Sequence, residues 1–465
     1  MRHLSALLAL AALCLCAASA AALDVKARGE FKANWSYWSN KDFTASWSGN
    51  GQMKHNDLVQ RLRMFADFRS SEHARFVLGI EVGDTFWGQR ASGGAIGSDG
   101  KTVEIRRANL EFKWPSRPSL VATVGILGAG FPNAGYCSSA ILDDDIIGAT
   151  LSDRLSDEVS LTLGFYRPAD NDFFTRNAAG RLSGNGQGVM DAVLLAAPLT
   201  FEGFKATPFL VFGFLGANAT GGSYSPTSPG GMTAVNGTAR GGSAHPWWAG
   251  TSLEVAVPGS LAFLADVNYG AINAPERRND RKGWLVDGAV EYKGLRAFVP
   301  SVFGWWSSGI DSDVRNGDER MPSIGDDWSA GTMFFGGGRM LDDDLDQSSI
   351  GTWGAGVRLA RLSLVRDLSH DLFLYRAQGT NAAAAVKDRA SLAGLAYGSD
   401  FTDRDVLWGA ELNSTYAIME ELSFVVNLAL NRADYDKAVW RGRAGARVDH
   451  QEPMFRSTVG MLYKF

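Results

Sequence analysis

The sequence predicts an all-β fold, a transmembrane antiparallel β-barrel of eighteen strands with short turns on one rim and long loops on the other. Three observations carry the prediction. Apolar and polar residues alternate with a period of two over most of the chain, which places one set on each face of a strand. The links between the alternating stretches are themselves short and long by turns. The final stretch closes on an aromatic residue, Phe465.

The first residues have a different character. Arg2 supplies a positive start, Leu4 to Leu15 is apolar, and the small-residue sites Ala18-Ser19-Ala20 and Ala20-Ala21-Ala22 follow. That order is the pattern of a secretory signal peptide, so residues 1–22 are expected to be removed and residues 23–465 to form the barrel. Cys14 and Cys16 lie inside the signal, each preceded by Leu where a lipoprotein cleavage box has a small residue. Cys137 alone remains in the mature chain, which therefore holds no internal disulfide, and it reads as a small loop residue. No later run of about 18 apolar residues occurs, so no transmembrane helix is expected. Lys+Arg 45 against Asp+Glu 50 gives a net charge of −5, and an acidic chain argues against general nucleic-acid binding.

The strands can be read in order. Val25, Ala27, Gly29, Phe31, Ala33, Trp35 and Tyr37 alternate with Lys26, Arg28, Glu30, Lys32, Asn34 and Ser36. Leu62, Met64, Ala66 and Phe68 then oppose Arg61, Arg63, Asp67 and Arg69. Ala74, Phe76, Leu78, Ile80 and Val82 oppose Arg75, Gly79 and Glu81, and Ala108, Leu110, Phe112 and Trp114 oppose Arg107, Asn109, Glu111 and Lys113. Near the end Leu422, Phe424, Val426, Leu428 and Leu430 oppose Ser423, Asn427 and Asn431. In the last stretch Phe455, Val459, Met461, Tyr463 and Phe465 share one face, which suits a closing strand with its aromatics in an interfacial girdle.

A soluble sandwich alternates too, with its apolar faces meeting in a core. Here the polar face carries long charged side chains on successive strands, as a water-filled lumen permits. Short links fall near Ser70-Ser71-Glu72, 115–118, 153–157, 200–203, Pro258-Gly259, Lys293-Gly294, Ala360-Arg361 and Glu420-Glu421. Long links, rich in Gly, Asp, Asn and Ser, fall near 39–56, 84–101, 128–146, 167–187, 216–245, 270–282, 306–349, 376–404 and 432–452. Eight short and nine long links join eighteen strands; sixteen is the alternative if the short 146–153 stretch does not cross. No internal repeat points to a solenoid or propeller.

The stretch Glu81-Val82-Gly83-Asp84-Thr85-Phe86-Trp87-Gly88, with 92–100 after it, resembles the homotrimeric outer-membrane porins of sulfate-reducing bacteria. Ala140-Ile141-Leu142-Asp143-Asp144-Asp145, Gln378-Gly379-Thr380-Asn381 and Glu411-Leu412-Asn413 are further matches. The resemblance spans nearly the whole mature chain. It implies an outer-membrane location in a Gram-negative cell, a homotrimer, and passive diffusion of small hydrophilic solutes, and it brings no catalytic residues. The Asp-rich 306–349 loop and Cys137 depart from the pattern, which puts the pore mouth in question.

Selectivity in such a channel comes from its narrowest width and the charges around it. The loop 128–146 is the candidate constriction: Gly128, Gly130, Pro132 and Gly135 permit tight bends, and it ends on Asp143, Asp144 and Asp145. Facing it on the wall are Arg61, Arg63, Arg75 and Arg107. Two arrangements are open. Carboxylates on the loop and guanidiniums on the wall set up a transverse field, or the Asp residues are solvated and the arginines pair with Asp67, Glu81 and Glu111. Over the first four strands nine inward bases stand against four inward acids, namely Glu30, Asp67, Glu81 and Glu111, which leans the passage toward anions.

Other classes leave weaker marks. Asp342, Asp343, Asp344 and Asp346, and separately Asp400, Asp403 and Asp405, could offer oxygens to calcium, but no D-x-D-x-D-G loop occurs; no metal and no cofactor is expected. His55, His73, His245, His370 and His450 lie outside any catalytic motif, so the chain is not read as an enzyme. A solute-specific channel with a binding site, and a non-conducting structural or adhesive barrel, are the alternatives. Outer-membrane lipid and lipopolysaccharide are the expected surroundings. Small outward residues, Ala27, Gly29 and Ala33, suit a contact between copies.

Overall fold

The computed structural model describes residues 23–40, 43, 54–96, 103–170, 187–217, 219, 242–313, 315–325, 328–331, 349–387, 400–441 and 451–465. Strands β1 (Asp24–Ser39), β2 (Lys54–Arg69), β3 (Ala74–Phe86), β4 (Val103–Trp114), β5 (Arg117–Gly130) and β6 (Asp143–Arg154) open one sheet. It continues through β7 (Ser160–Asp170), β8 (Val189–Ala196), β9 (Leu199–Phe201), β10 (Phe204–Leu215), β11 (His245–Val257) and β12 (Leu261–Asn273). It is completed by β13 (Arg281–Tyr292), β14 (Val299–Ser307), β15 (Thr352–Val365), β16 (Leu368–Gly379), β17 (Val406–Ala417), β18 (Leu422–Asp434) and β19 (Met454–Lys464).

The sheet closes on itself. β1 pairs antiparallel with both β2 and β19, so no edge is left to present unpaired backbone groups to lipid. β8 and β9 are two pieces of one strand: both pair with β10, and Pro198, which has no N–H for the ladder, falls in the gap. The nineteen segments therefore form an eighteen-strand antiparallel barrel. The seam is finished by the chain end, where Gly29 N donates to Phe465 O at 2.8 Å and Phe465 N to Gly29 O at 3.0 Å. A Cβ on Gly29 would stand 2.6 Å from the Phe465 ring, so the glycine makes the space the terminal aromatic fills.

Side-chain placement follows the alternation. Ile147, Leu163, Val193, Leu210, Val302 and Leu430 are exposed on the outside, an apolar band of the kind that meets hydrocarbon. Aromatics bound the band at both rims. Trp247, Tyr269 and Trp284 cluster with ring centroids 5.2 and 4.7 Å apart near the long-loop rim, while Phe112–Trp114 and Tyr463–Phe465 lie near the short-turn rim. Among the described residues no helix is long and apolar enough to cross a membrane.

Three boundaries differ from the sequence reading. β15 runs on through Ala360-Arg361 to Val365, and the short link lies at Arg366-Asp367. The register shifts at Leu359/Leu362, and Arg361 has φ 56, so the break in alternation that mimics a turn is a β-bulge. The stretch 146–153 is the middle of the 12-residue β6, which removes the sixteen-strand alternative. Asp143, Asp144 and Asp145 consequently begin a strand and do not end a loop.

The long loops turn inward and pack. Phe131, Ile141, Leu142, Met321, Ile324, Trp328, Phe401 and Trp440 join one buried apolar cluster with wall residues such as Met190, Val211 and Trp248. Two buried polar side chains tie the loops after β14 and β16 together. Asn381 donates to the carbonyls of Phe401 at 2.7 Å and Gly351 at 3.2 Å and accepts from Ile310 N at 3.1 Å. Arg320 bridges Asp318 at 2.8 Å and Asp400 at 3.0 Å, and all three side chains are inaccessible to solvent.

Candidate functional site: the barrel lumen

The lumen is shaped by an arm that leaves the wall. Pairing of β4 with β5 stops at Ala108↔Ile126 and that of β6 with β7 at Gly148↔Tyr166, whereas β5 and β6 stay paired to Gly130↔Asp143. The end of this hairpin is free of both neighbours and carries residues 131–142 across the barrel. Phe131 N donates to Leu142 O at 2.9 Å, closing the base. At the tip Gly135 has φ 77, a conformation that favours glycine, and its N–H donates to Asn133 Oδ1 at 3.0 Å.

The tip docks on the opposite wall. Ala134 N donates to both carboxylate oxygens of Asp266 on β12, at 2.9 and 3.0 Å. The Tyr136 hydroxyl lies 3.2 Å from Ser301 Oγ on β14, and the Arg358 guanidinium of β15 sits 5.9 Å over its ring. Burial pushes the Tyr136 hydroxyl up to about 12 and the Cys137 thiol well above its ordinary value, so both are neutral at physiological pH. On the return, Ile141 O accepts from Ile324 N at 2.8 Å, and Asp143 N donates to Gly325 O at 2.8 Å. The loop after β14 thus braces the arm.

Carboxylates on the docked side are covered. Asp266 and Asp287 stand opposite each other in the β12–β13 register, and Trp328 Nε1 donates to Asp287 at 2.8 Å. Asp371 accepts from Arg358 at 2.9 Å and from Arg361 N at 2.8 Å, and Glu411 accepts from the Tyr375 hydroxyl at 2.9 Å. None of the four exceeds 6% exposure.

The wall of β1–β4 is the opposite case. Asp67 accepts from Arg28 at 3.2 Å and Arg75 at 2.8 Å, and Arg75 reaches Glu111 at 3.5 Å. Glu81 gathers Arg63 at 2.5 Å, Arg106 at 3.3 Å and Arg61 at 3.9 Å. Asp145, on the arm, pairs with both Arg106 and Arg107. The arginines keep contact with water: side-chain exposure is 21% for Arg63, 26% for Arg75, 28% for Arg106 and 27% for Arg107, against 4% for Arg61.

The residues singled out from sequence therefore divide. Arg63, Arg75, Arg107, Glu81 and Glu111 come together on one wall, and Asp145 joins them by direct contact and not across a gap. Asp144 is exposed, with one carboxylate oxygen 2.6 Å from the Asp145 N–H, and Asp143 is half-buried. Arg61 is buried beside Glu81 and Asp84. Arg106 escaped the sequence reading, because strict alternation turns it outward. A register shift between Gly79 and Ile80 places the extra residue of a β-bulge at Arg106 and brings it beside Glu81. The Asp400, Asp403 and Asp405 cluster is occupied by protein: Arg320 holds Asp400, Ala383 N donates to Asp403, and Thr402, Asp436 N and Trp440 donate to Asp405. The 342–346 cluster and His450 lie outside the described residues. His370 Nδ1 contacts Ser414 Oγ at 2.8 Å on the wall.

Comparison with known proteins places this barrel. No protein-family model and no curated protein matches the chain. Solved structures do. OccK8 (OprE) of Pseudomonas aeruginosa superposes with a TM-score of 0.52 at 9% identity, covering 95% of this chain and 98% of that one. OccAB3 of Acinetobacter baumannii gives 0.52 at 12% identity over 95% and 100%, and OccK3 (OpdO) of Pseudomonas aeruginosa 0.50 at 12% over 95% and 96%. These are outer-membrane porins, and at such identity the likeness establishes a shared fold.

Proposed function

We propose that the chain is a porin of the Gram-negative outer membrane, whose barrel holds a water-filled passage for small hydrophilic solutes. One observation carries the reading: the crossing arm packs against the β7–β15 side and leaves the arginines of β1–β4 partly in contact with water. A barrel made only for structure has no use for a lumenal row of guanidiniums that keep partial contact with water. The fold shared with outer-membrane porins supports the same reading. Arg63, Arg75, Arg106 and Arg107 with Glu111, Asp144 and Asp145 line the narrowest part, Glu81 lies buried behind them as the partner of Arg63 and Arg106, and the arm is the constriction. Because the carboxylates of the far wall are covered and these arginines are not, the passage prefers anions.

Residues 1–22 serve export and are cleaved, and the short turns face the periplasm. The working unit is a homotrimer, as the resemblance to trimeric porins implies. Gly29 is a weaker pointer to a contact between copies than its size suggests, since the Phe465 ring fills its space. Migration on a native gel before and after boiling tests the trimer. Reversal potentials in planar bilayers under a salt gradient test the channel and its anion preference together: cation selectivity would sink the second, and absence of current the first.

A further inference from the structure

The outside of the barrel carries an arginine that the passage does not explain. Arg376 has the parity of Leu374, which is 44% exposed on the outer face of β16, so its side chain leaves the barrel near the long-loop rim. Its guanidinium is 5.3 Å from the Trp353 ring and 5.5 Å from the Trp408 ring. Arg376 Nη2 donates to Gln378 Oε1 at 3.1 Å, and Gln378 Nε2 donates to the Asp403 carbonyl at 2.7 Å. The group is thus held between two indoles and steadied by a loop backbone.

Neighbouring strands extend the row. Trp306 stands opposite Trp353, Trp353 opposite Gln378, Arg376 opposite Trp408, and Trp408 opposite Arg432, so β14–β18 present a row of indoles with the guanidiniums of Arg376 and Arg432 set among them. The Arg432 side chain is 65% exposed, 3.2 Å from Asp434. Val357, Leu374 and Leu430 form an exposed apolar surface beneath. Tryptophans of this kind mark the membrane interface, and a charge on the lipid face is tolerated only there. A guanidinium has five N–H donors in a fork that matches phosphate, and among the described residues Arg376 gives one hydrogen bond to protein.

We propose that this row binds the headgroup of a phosphate-bearing lipid of the outer leaflet. Phosphate oxygens accept from Arg376 and Arg432 while an acyl chain runs down Val357, Leu374 and Leu430. A second copy of the barrel seated here would bury both guanidiniums against an apolar face without acceptors, which a phosphate supplies. The proposal rests on the outer-membrane reading.

The test is native mass spectrometry of the full barrel in detergent, titrated with bisphosphorylated lipid A, with dephosphorylated lipid A, and with inorganic phosphate. Lipid A is expected to bind the wild type, and Arg376→Gln with Arg432→Gln to weaken it about tenfold. Arg376→Lys keeps the charge but loses the fork and should weaken it about threefold. The dephosphorylated lipid should bind no better than the double variant does lipid A, and inorganic phosphate should leave no adduct. Equal binding of lipid A to wild type and double variant overturns the proposal, as does tight binding of phosphate alone. Loss of trimer in the double variant with lipid binding intact overturns it in favour of a contact between copies. Single-channel current of the double variant, expected unchanged, separates this result from the porin reading.

Discussion

Replacing Asp145 by Asn tests how the constriction sets its charge. Asp145 holds Arg106 and Arg107, and the three side chains are 13%, 28% and 27% exposed, so the triad borders water. Asparagine keeps the shape and removes one negative charge, leaving the wall more positive by one. A unit charge about 5 Å from a permeating ion in water interacts by about 0.8 kcal/mol, which corresponds to roughly a fourfold rise in anion occupancy at low salt. At 1 M salt the screening length falls to about 3 Å and the effect should largely vanish. The assay is reversal potential in planar bilayers under a fixed salt gradient, at low and at high ionic strength. A move toward cations, or a shift as large at 1 M salt as at low salt, refutes the reasoning.

Neutralising Arg63, Arg75 and Arg107 together should move the same measurement toward cations, by more than any one of them alone; adding Arg61→Gln should change selectivity little, since that side chain is buried. Gly125 has φ 127, and a Cβ there would run into the carbonyl of Ala108, so Gly125→Val should cost about 1–3 kcal/mol and lower the temperature at which the barrel loses its folded gel mobility. Gly29→Val should crowd the Phe465 ring and reduce the folded fraction on refolding into detergent, whereas a normal folded yield would detach the chain end from closure. Arg320→Met strips the counter-charge from buried Asp318 and Asp400, a loss of about 3–5 kcal/mol that should appear as new protease cleavage within 308–331. The Cys137 thiol, buried and held neutral, should resist maleimide in the folded barrel and react on unfolding; rapid labelling of the native protein would contradict the docked arm.

Strand order and facing were legible because a period of two leaves a mark at every residue. Arg63 and Met64 go to opposite faces whatever surrounds them. The signal fails where the period breaks. Arg361 looked like a turn because the bulge in β15 resets the alternation, and Arg106 looked outward because a bulge in β4 turns it in. Neither bulge has a local composition that separates it from a turn or from regular strand. The charged wall was legible for a related reason: long cationic side chains at inward parity have no other place in a membrane barrel. Its pairing was not. Asp145 meets Arg106 and Arg107 only because the β5–β6 hairpin leaves the wall, and that follows from where its partners stop pairing, a property of three strands at once. The docking of Ala134 on Asp266, residues far apart in the chain, likewise leaves no trace in either segment alone.

The central claim is that the crossing arm leaves a water-filled passage along the arginine wall. Single-channel recording of the purified barrel in a planar bilayer tests it most directly. Stepwise ohmic openings, with reversal toward anions, are the predicted result; a correctly folded, heat-modifiable barrel that inserts and carries no current would contradict it.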